Sequence, residues 1–169
     1  MARVWVFDSN ISTDDIIAGR YLPKFEASKD PSWLASHVME NIVPSFASKV
    51  GRGDIIVAGR NFGCGSSREE APIALKAAGV SAVVAESFAR IFYRNSINRG
   101  LPVLTSRGVR RNFKSGNEIK IDLKGGTVRN VTTGKVFKAE PFPGFVLGIL
   151  RAGGLIPYLK RRSAPQRGK

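Results

Sequence analysis

Four short apolar runs divide the first two-thirds of the chain. Val4-Trp5-Val6-Phe7, Asp54-Ile55-Ile56-Val57-Ala58, Ala82-Val83-Val84-Ala85 and Pro102-Val103-Leu104 are short and rich in β-branched residues, and each reads as a buried strand. Between the second and third, Ala71, Ala74, Leu75 and Ala78 recur at the spacing of one helix face. Between the third and fourth, Ser87 is placed as an N-cap, and Phe88, Ile91, Phe92 and Asn95 follow at helical spacing with their aromatics in the core. Two strand–helix units in succession predict parallel strands joined by crossover helices.

From Asn117 the period changes. Glu118-Ile119-Lys120-Ile121-Asp122-Leu123 alternates, Gly125-Gly126 marks a turn before Thr127-Val128, and Thr133-Gly134 precedes Val136-Phe137. These are antiparallel strands. Helix signals return at Phe145, Val146, Ile149 and Leu150. The fold class is α/β, with a mixed, partly parallel sheet and no internal repeat.

Three segments are less regular. Asp8 to Asp15 is a polar loop with two adjacent acids, which by themselves indicate turn chemistry or helix capping. Tyr21 to Lys29 is mostly polar without clear periodicity, so a mobile loop is predicted. Pro31 to Val43 is predicted as a helix with Leu34, Val38 and Ile42 along one side. His37, the only histidine, sits on that helix and is read as a surface or packing residue rather than a metal ligand.

A chain of 169 residues is long enough for one domain with a sizeable core. Its single cysteine, Cys64, excludes a disulfide framework within the chain and is read as a small packing residue. No apolar run reaches membrane-spanning length and the N-terminus lacks a signal-peptide pattern, so the cytoplasm is the default location. The formal net charge of +14 changes the picture. Basic residues cluster at Arg107, Arg110, Arg111 and Lys114, and again at Lys160, Arg161, Arg162, Arg167 and Lys169. Such a balance fits an acidic partner subunit, a solvated surface or nucleic acid. No RNA-binding aromatic motif is present, which leaves a nucleic-acid-binding module as the minor alternative. The domain is placed at residues 1–160, followed by a basic, disordered tail at 161–169.

The chemistry concentrates in Gly59-Arg60-Asn61-Phe62-Gly63-Cys64-Gly65-Ser66-Ser67-Arg68-Glu69-Glu70, between the second strand and its helix. Gly59, Gly63 and Gly65 permit a tight turn and close approach to a ligand. Ser66 and Ser67 each precede a glutamate by three positions, the capping-box pattern. A helix start with unpaired N–H groups beside Arg68 makes a candidate anion site for a carboxylate or phosphate. An equally weighted reading has the serines as caps and Arg68 as a solvated residue. The spacing matches neither GxxxxGK[ST] nor GxGxxG, so nucleotide binding is not indicated.

This stretch resembles the small subunit of 3-isopropylmalate dehydratase, the counterpart of the swivelling β/β/α domain of aconitase. The resemblance extends to Ser12-Thr13-Asp14-Asp15-Ile16, Gly19-Arg20-Tyr21-Leu22, Ser87-Phe88-Ala89-Arg90-Ile91-Phe92-Tyr93-Arg94-Asn95 and Ala152-Gly153-Gly154-Leu155, from about Val4 to Lys160. It implies a hydro-lyase that moves a hydroxyl between neighbouring carbons of a malate-type acid in leucine biosynthesis. It implies Ser66 as catalytic base, and substrate binding by Arg68, Ser67, Gly65, Thr13, Asp14 and Lys24. Asp14 would orient a substrate-binding group. The segment Tyr21-Leu22-Pro23-Lys24-Phe25 would choose the substrate's side chain, Lys24 suiting an extra carboxylate and Phe25 an isopropyl group. A solvated Lys24 is the alternative.

The family's [4Fe–4S] cluster takes three cysteine ligands and this chain has one. No cofactor is therefore expected on this chain. A cluster-bearing large subunit is the implied partner, and a small hydroxy-dicarboxylic or tricarboxylic acid the implied substrate. Homoaconitate and methyl-substituted malates remain open as substrates.

Overall fold

The computed structural model of the chain describes residues 2–163. Seven strands form one sheet: β1 (Ala2–Val6), β2 (Ile55–Ala58), β3 (Ala82–Ala85), β4 (Val103–Thr105), β5 (Glu118–Asp122), β6 (Thr127–Asn130) and β7 (Val136–Lys138). Their order is β4-β3-β2-β1-β5-β6-β7. β1 to β4 pair in parallel, with Val4 opposite Ile55, Ile55 opposite Ala82 and Val83 opposite Val103. β5 returns antiparallel to β1, and β6 and β7 continue as a meander. The expected mixed sheet is present, with β1 as the strand where parallel pairing gives way to antiparallel pairing.

Every residue of β2 and β3 is buried, which explains their unbroken apolar sequences. The helices are α1 (Thr13–Ile16), α2 (Leu22–Ser28), α3 (Pro31–Ala35), α4 (Phe46–Lys49), α5 (Glu70–Ala77), α6 (Arg90–Asn98), α7 (Gly144–Ala152) and α8 (Leu155–Ser163). α5 and α6 are the crossovers from β2 to β3 and from β3 to β4. Trp5 and Phe7 are two residues apart along the same stretch and both pack on Phe46 of α4, with ring centroids 4.8 and 6.0 Å away. No helix among the described residues is long and apolar enough to cross a membrane.

Four predicted elements come out differently. The segment expected to be a mobile loop is a short 3-10 turn, Gly19–Tyr21, running into α2, with Pro23 in the first helical turn and Lys29 closing it in a left-handed conformation (φ 53°). Its only fully buried side chain is Phe25, so there was no apolar period to read. The helix expected over Pro31 to Val43 stops at Ala35. Met39 takes φ 58° and its N–H donates to the Ile16 carbonyl (2.8 Å), so Leu34 and Val38 stay buried while Ile42 turns outward. Ser87 does not cap α6: that helix starts at Arg90, and Ile91 is exposed while Phe92 is buried. Finally, α8 continues three residues past Lys160, to Ser163, and the rest of the expected disordered tail lies outside the described residues.

Asp54 fastens the sheet at the head of β2. Its carboxylate is buried and accepts from the Gly51 N–H (2.8 Å), the Trp5 indole N–H (3.0 Å) and the Arg3 N–H (3.2 Å). A buried carboxylate is tolerated only with such partners. Asp54→Ala orphans three donors and is expected to cost about 2–4 kcal/mol in urea unfolding at neutral pH. A loss below about 0.5 kcal/mol would show that water replaces the carboxylate without penalty.

Candidate active site

The site is built by two loops that leave neighbouring parallel strands at their C-terminal ends, where ligands bind in open α/β sheets. The loop after β1 carries Asn10 to Asp15, and the loop after β2 carries Gly59 to Arg68. They run alongside each other, joined by a parallel bridge between Ser12 and Cys64. Asn10 N–H donates to the Arg60 carbonyl (2.8 Å), Gly63 N–H to Ile11 (2.7 Å) and Thr13 N–H to Cys64 (2.8 Å). Gly63 is required there: its φ is +80°, and a Cβ would collide with the ring of Phe92, which is buried beneath it. Cys64 is half-buried and contributes through its backbone, consistent with a packing role.

Thr13, Asp14, Ser66 and Arg68 are brought together by these loops. Thr13 is buried and its hydroxyl donates to the Ser66 carbonyl (2.8 Å). Arg68 Nη1 donates to Asp14 Oδ1 (2.6 Å) and to the Ile17 carbonyl (3.1 Å). Asp14 also accepts from the Gly19 N–H (3.2 Å). The Arg68 guanidinium, followed by the Gly19 N–H, holds the Asp14 carboxyl below the usual carboxylate range. A Cβ at Gly19 would lie 3.2 Å from Arg68 Nη2, so Gly19 clears the space that this guanidinium occupies.

Ser66 and Ser67 are exposed and do not cap α5, which begins only at Glu70 and has no side-chain cap. The capping-box reading is therefore corrected. Glu69 pairs instead with Arg99, which removes it from a reciprocal capping role. Freed from capping, Gly65, Ser66 and Ser67 present backbone N–H groups that have no partner among the described residues. Exposed unpaired amides beside a forked cation favour an oxyanion.

The segment Tyr21 to Phe25 runs from the 3-10 turn that holds Gly19 into α2. Phe25 is buried within α2 and packs with the core. Lys24 Nζ sits over the Trp33 ring, 3.5 Å from its centroid, and forms no ion pair among the described residues. Tyr21 stacks on His37, with centroids 3.9 Å apart, and donates its hydroxyl to Glu40. His37 Nδ1 lies 3.0 Å from Glu40 Oε2, and Arg20 Nη2 donates to Glu40 Oε1 (2.8 Å). Burial opposes ionisation of Glu40, but the hydrogen bonds from Tyr21, His37 and Arg20 outweigh it and hold the carboxyl below the ordinary glutamate range. Asn41, next along, donates to the Asp14 backbone carbonyl (3.1 Å).

Glu40 and Asn41 were missed from the sequence. No local motif marks them, because Glu40 meets Arg20 across 20 residues of chain and Asn41 meets Asp14 across 27. A cleft of about 940 Å³ lies farther along α5, lined by Phe25, Ile73, Lys76 and Arg99 among others, and does not include Ser66, Ser67 or Arg68.

Residues 8–108 match the aconitase C-terminal domain. The chain belongs to the aconitase C-terminal domain family. That match covers β2, β3, β4 and both site loops, with β1 lying just before it. Its similarity to individual proteins runs further. It is 56% identical over 159 residues to 3-isopropylmalate dehydratase small subunit 1 of Methanopyrus kandleri, covering 94% of this chain and 91% of the relative. It is 57% identical over 159 residues to the methanogen homoaconitase small subunit of Methanothermobacter thermautotrophicus, covering 94% and 89%. The crystal structure of a 3-isopropylmalate dehydratase from Methanocaldococcus jannaschii superimposes with a TM-score of 0.87 at 46% identity, covering 95% of this chain and 93% of that one. The seven-stranded mixed sheet is thus the fold of this aconitase-family relative.

The depressed carboxyl of Asp14 fixes the sign of a pH effect. A native pKa below the unfolded value of about 3.9 means that the Asp14–Arg68 pair stabilises above that pH and ceases to do so as pH falls through the native value. Asp14 is 62% exposed, so the pair is expected to contribute at most about 1 kcal/mol. Asp14→Asn should lose up to about that much at pH 7, the gap to wild type closing below about pH 4 in denaturant titrations. A gap independent of pH would show that the pair does not titrate with folding.

Proposed function

We propose that this chain is the small subunit of a 3-isopropylmalate dehydratase, a hydro-lyase that interconverts 3-isopropylmalate and 2-isopropylmalate by dehydration and rehydration. The observation that carries the reading is the junction of the two loops. It places an exposed serine, unpaired amides and a carboxylate-held arginine together at the C-terminal edge of the parallel strands. The relatives' names support the reaction class, and the roles below follow the family resemblance, supported by the way these residues are brought together.

Arg68 binds a substrate carboxylate. Nη1 is committed to Asp14 and Ile17, so the carboxylate takes the remaining edge of the fork. Ser66, as alkoxide, accepts the proton from the carbon next to that carboxylate. Negative charge moving onto the carboxylate is met by Arg68 and by the amides of Gly65 to Ser67. In the reverse direction Ser66 returns the proton. Thr13 holds the Ser66 backbone and Asp14 holds Arg68 in place.

The hydroxyl must depart toward a Lewis acid that this chain does not fit. It has one cysteine, and among the described residues no group of three or more His, Cys, Asp or Glu is placed to hold a metal. We assign the family's [4Fe–4S] cluster, which would supply that Lewis acid, to a large subunit, and the pair to the cytoplasm.

A homoaconitate-type substrate is the second reading. Lys24 favours it: the residue is exposed on α2 and could trade its place over Trp33 for a distal carboxylate.

Reconstitution with the large subunit under anaerobic conditions, with isopropylmalate and homoaconitate assayed side by side, tests both. Isopropylmalate turnover is expected, and turnover of homoaconitate alone would transfer the assignment to the second reading. Ser66→Ala should lower kcat by about 10³-fold or more while assembly persists, whereas near-normal turnover would remove Ser66 as the base. Arg68→Lys should raise KM about tenfold because the fork is lost.

A further inference from the structure

The last two helices carry surface that nothing in the chain covers. Phe145 on α7 and Ile156 and Leu159 on α8 are 64%, 59% and 47% exposed. Scattered exposed apolar residues are ordinary, but three on one helical hairpin are not. Residues 144–163 carry Arg151, Lys160, Arg161 and Arg162 and no Asp or Glu. None of these four forms an ion pair among the described residues. The surface is apolar and uniformly basic.

Its position follows from the packing. The Gly153 carbonyl accepts from Lys76 Nζ (3.0 Å), which also donates to the Arg99 carbonyl (2.8 Å). A Cβ at Gly100 would collide with Gly153. The turn between α7 and α8 therefore sits at the C-terminal ends of α5 and α6, at the edge of the sheet away from the site loops. Glu140 N–H, by contrast, donates to the Thr105 carbonyl (3.1 Å) at the C-terminal end of β4. So α7 starts at the site edge, descends, and α8 climbs back. Gly148 meets Tyr158 midway, where a Cβ would lie 2.9 Å from the Tyr158 ring. Phe145 and the basic end Lys160-Arg161-Arg162 are thus delivered to the edge that carries Ser66 and Arg68.

We propose that the α7–α8 hairpin is a docking surface for an acidic, apolar-centred patch on the cluster-bearing large subunit, separate from the catalytic loops. The inference rests on the function proposed above. Position argues for this occupant, since the hairpin ends lie at the same edge of the sheet as the exposed site loops, beyond β4. Charge argues against a second copy, because two-fold pairing would bring like charges together at a chain carrying +14. An aromatic anchor beside arginines is the composition of interface hot spots.

The test is association of the full chain with its large subunit, followed by titration calorimetry or analytical ultracentrifugation at 50 and 300 mM salt. Phe145→Asp should weaken binding at least tenfold. The double change Lys160→Glu and Arg161→Glu, at exposed positions, with Arg162 kept because it contacts Tyr158, should weaken it similarly and remove most of its salt dependence. Both variants should keep the wild-type melting temperature and, at saturating large subunit, the wild-type kcat. Unchanged affinity in both variants overturns the docking surface while leaving the catalytic assignment standing. Failure of the wild-type pair to associate overturns both. Assembly without turnover removes only the catalytic assignment. Self-association of the isolated chain lost in Phe145→Asp, or binding to phosphatidylglycerol vesicles stronger than to the large subunit, would reassign the face and overturn the proposal.

Discussion

Two loops lying backbone to backbone govern what this molecule can do. Ser12 and Cys64 are 52 residues apart in the chain, yet their strands of loop form a short parallel bridge. The bridge exists because β1 and β2 are adjacent parallel strands whose chains leave the sheet at the same edge. It is fixed underneath by Gly63 against Phe92 and from the side by the buried Thr13 hydroxyl on the Ser66 carbonyl. Were the two loops free to separate, Asp14 and Arg68 would not meet, and the amides of Gly65 to Ser67 would have no fixed direction. The polar site is thus a consequence of apolar strand pairing several residues away.

The same logic explains why β1 lies in the middle of the sheet. Parallel partners on one side send their loops to the site edge, while β5 on the other side runs back and carries the chain away. The antiparallel meander contributes no residue to the site. Its role is mechanical: it closes the free edge of β1, and Ser106 and Glu140 tie the chain around β7 to β4 through Ser106 Oγ on the Lys138 carbonyl (2.8 Å) and the Glu140 N–H on Thr105 (3.1 Å). Helices α7 and α8 are then returned to the parallel half.

The sequence made some of this legible and concealed the rest for identifiable reasons. Strands β1 to β4 could be read because burial on both faces demands continuous apolar residues. The alternation in β5 was readable because only one face is covered. Helix α2 was hidden because Phe25 alone is buried in it, and helix formation there rests on Pro23, local turns and packing on Trp33. The capping box at Ser66 and Ser67 misled because the pattern is shared by helices and by anion-binding loops, and Glu69 had a competing partner in Arg99 thirty residues away. Gly19, Glu40 and Asn41 act through tertiary contacts, which leave no local signature.

Arg68 illustrates how such a site balances holding against binding. A guanidinium waiting in solvent would lose side-chain entropy when it captures a carboxylate. Asp14 and the Ile17 carbonyl remove most of that freedom in advance, at the cost of neutralising part of the charge. Because both contacts fall on Nη1, the proposed substrate carboxylate would meet the other edge of the fork without displacing Asp14. An exposed Asp14 suits this arrangement: solvent weakens its hold, so it orients the cation without quenching it. Burying the pair beneath a partner subunit would strengthen Asp14's hold and the attraction for the proposed substrate carboxylate together. Closure by a partner would therefore complete the proposed carboxylate clamp at an arginine whose side chain is already only 19% exposed, without moving it.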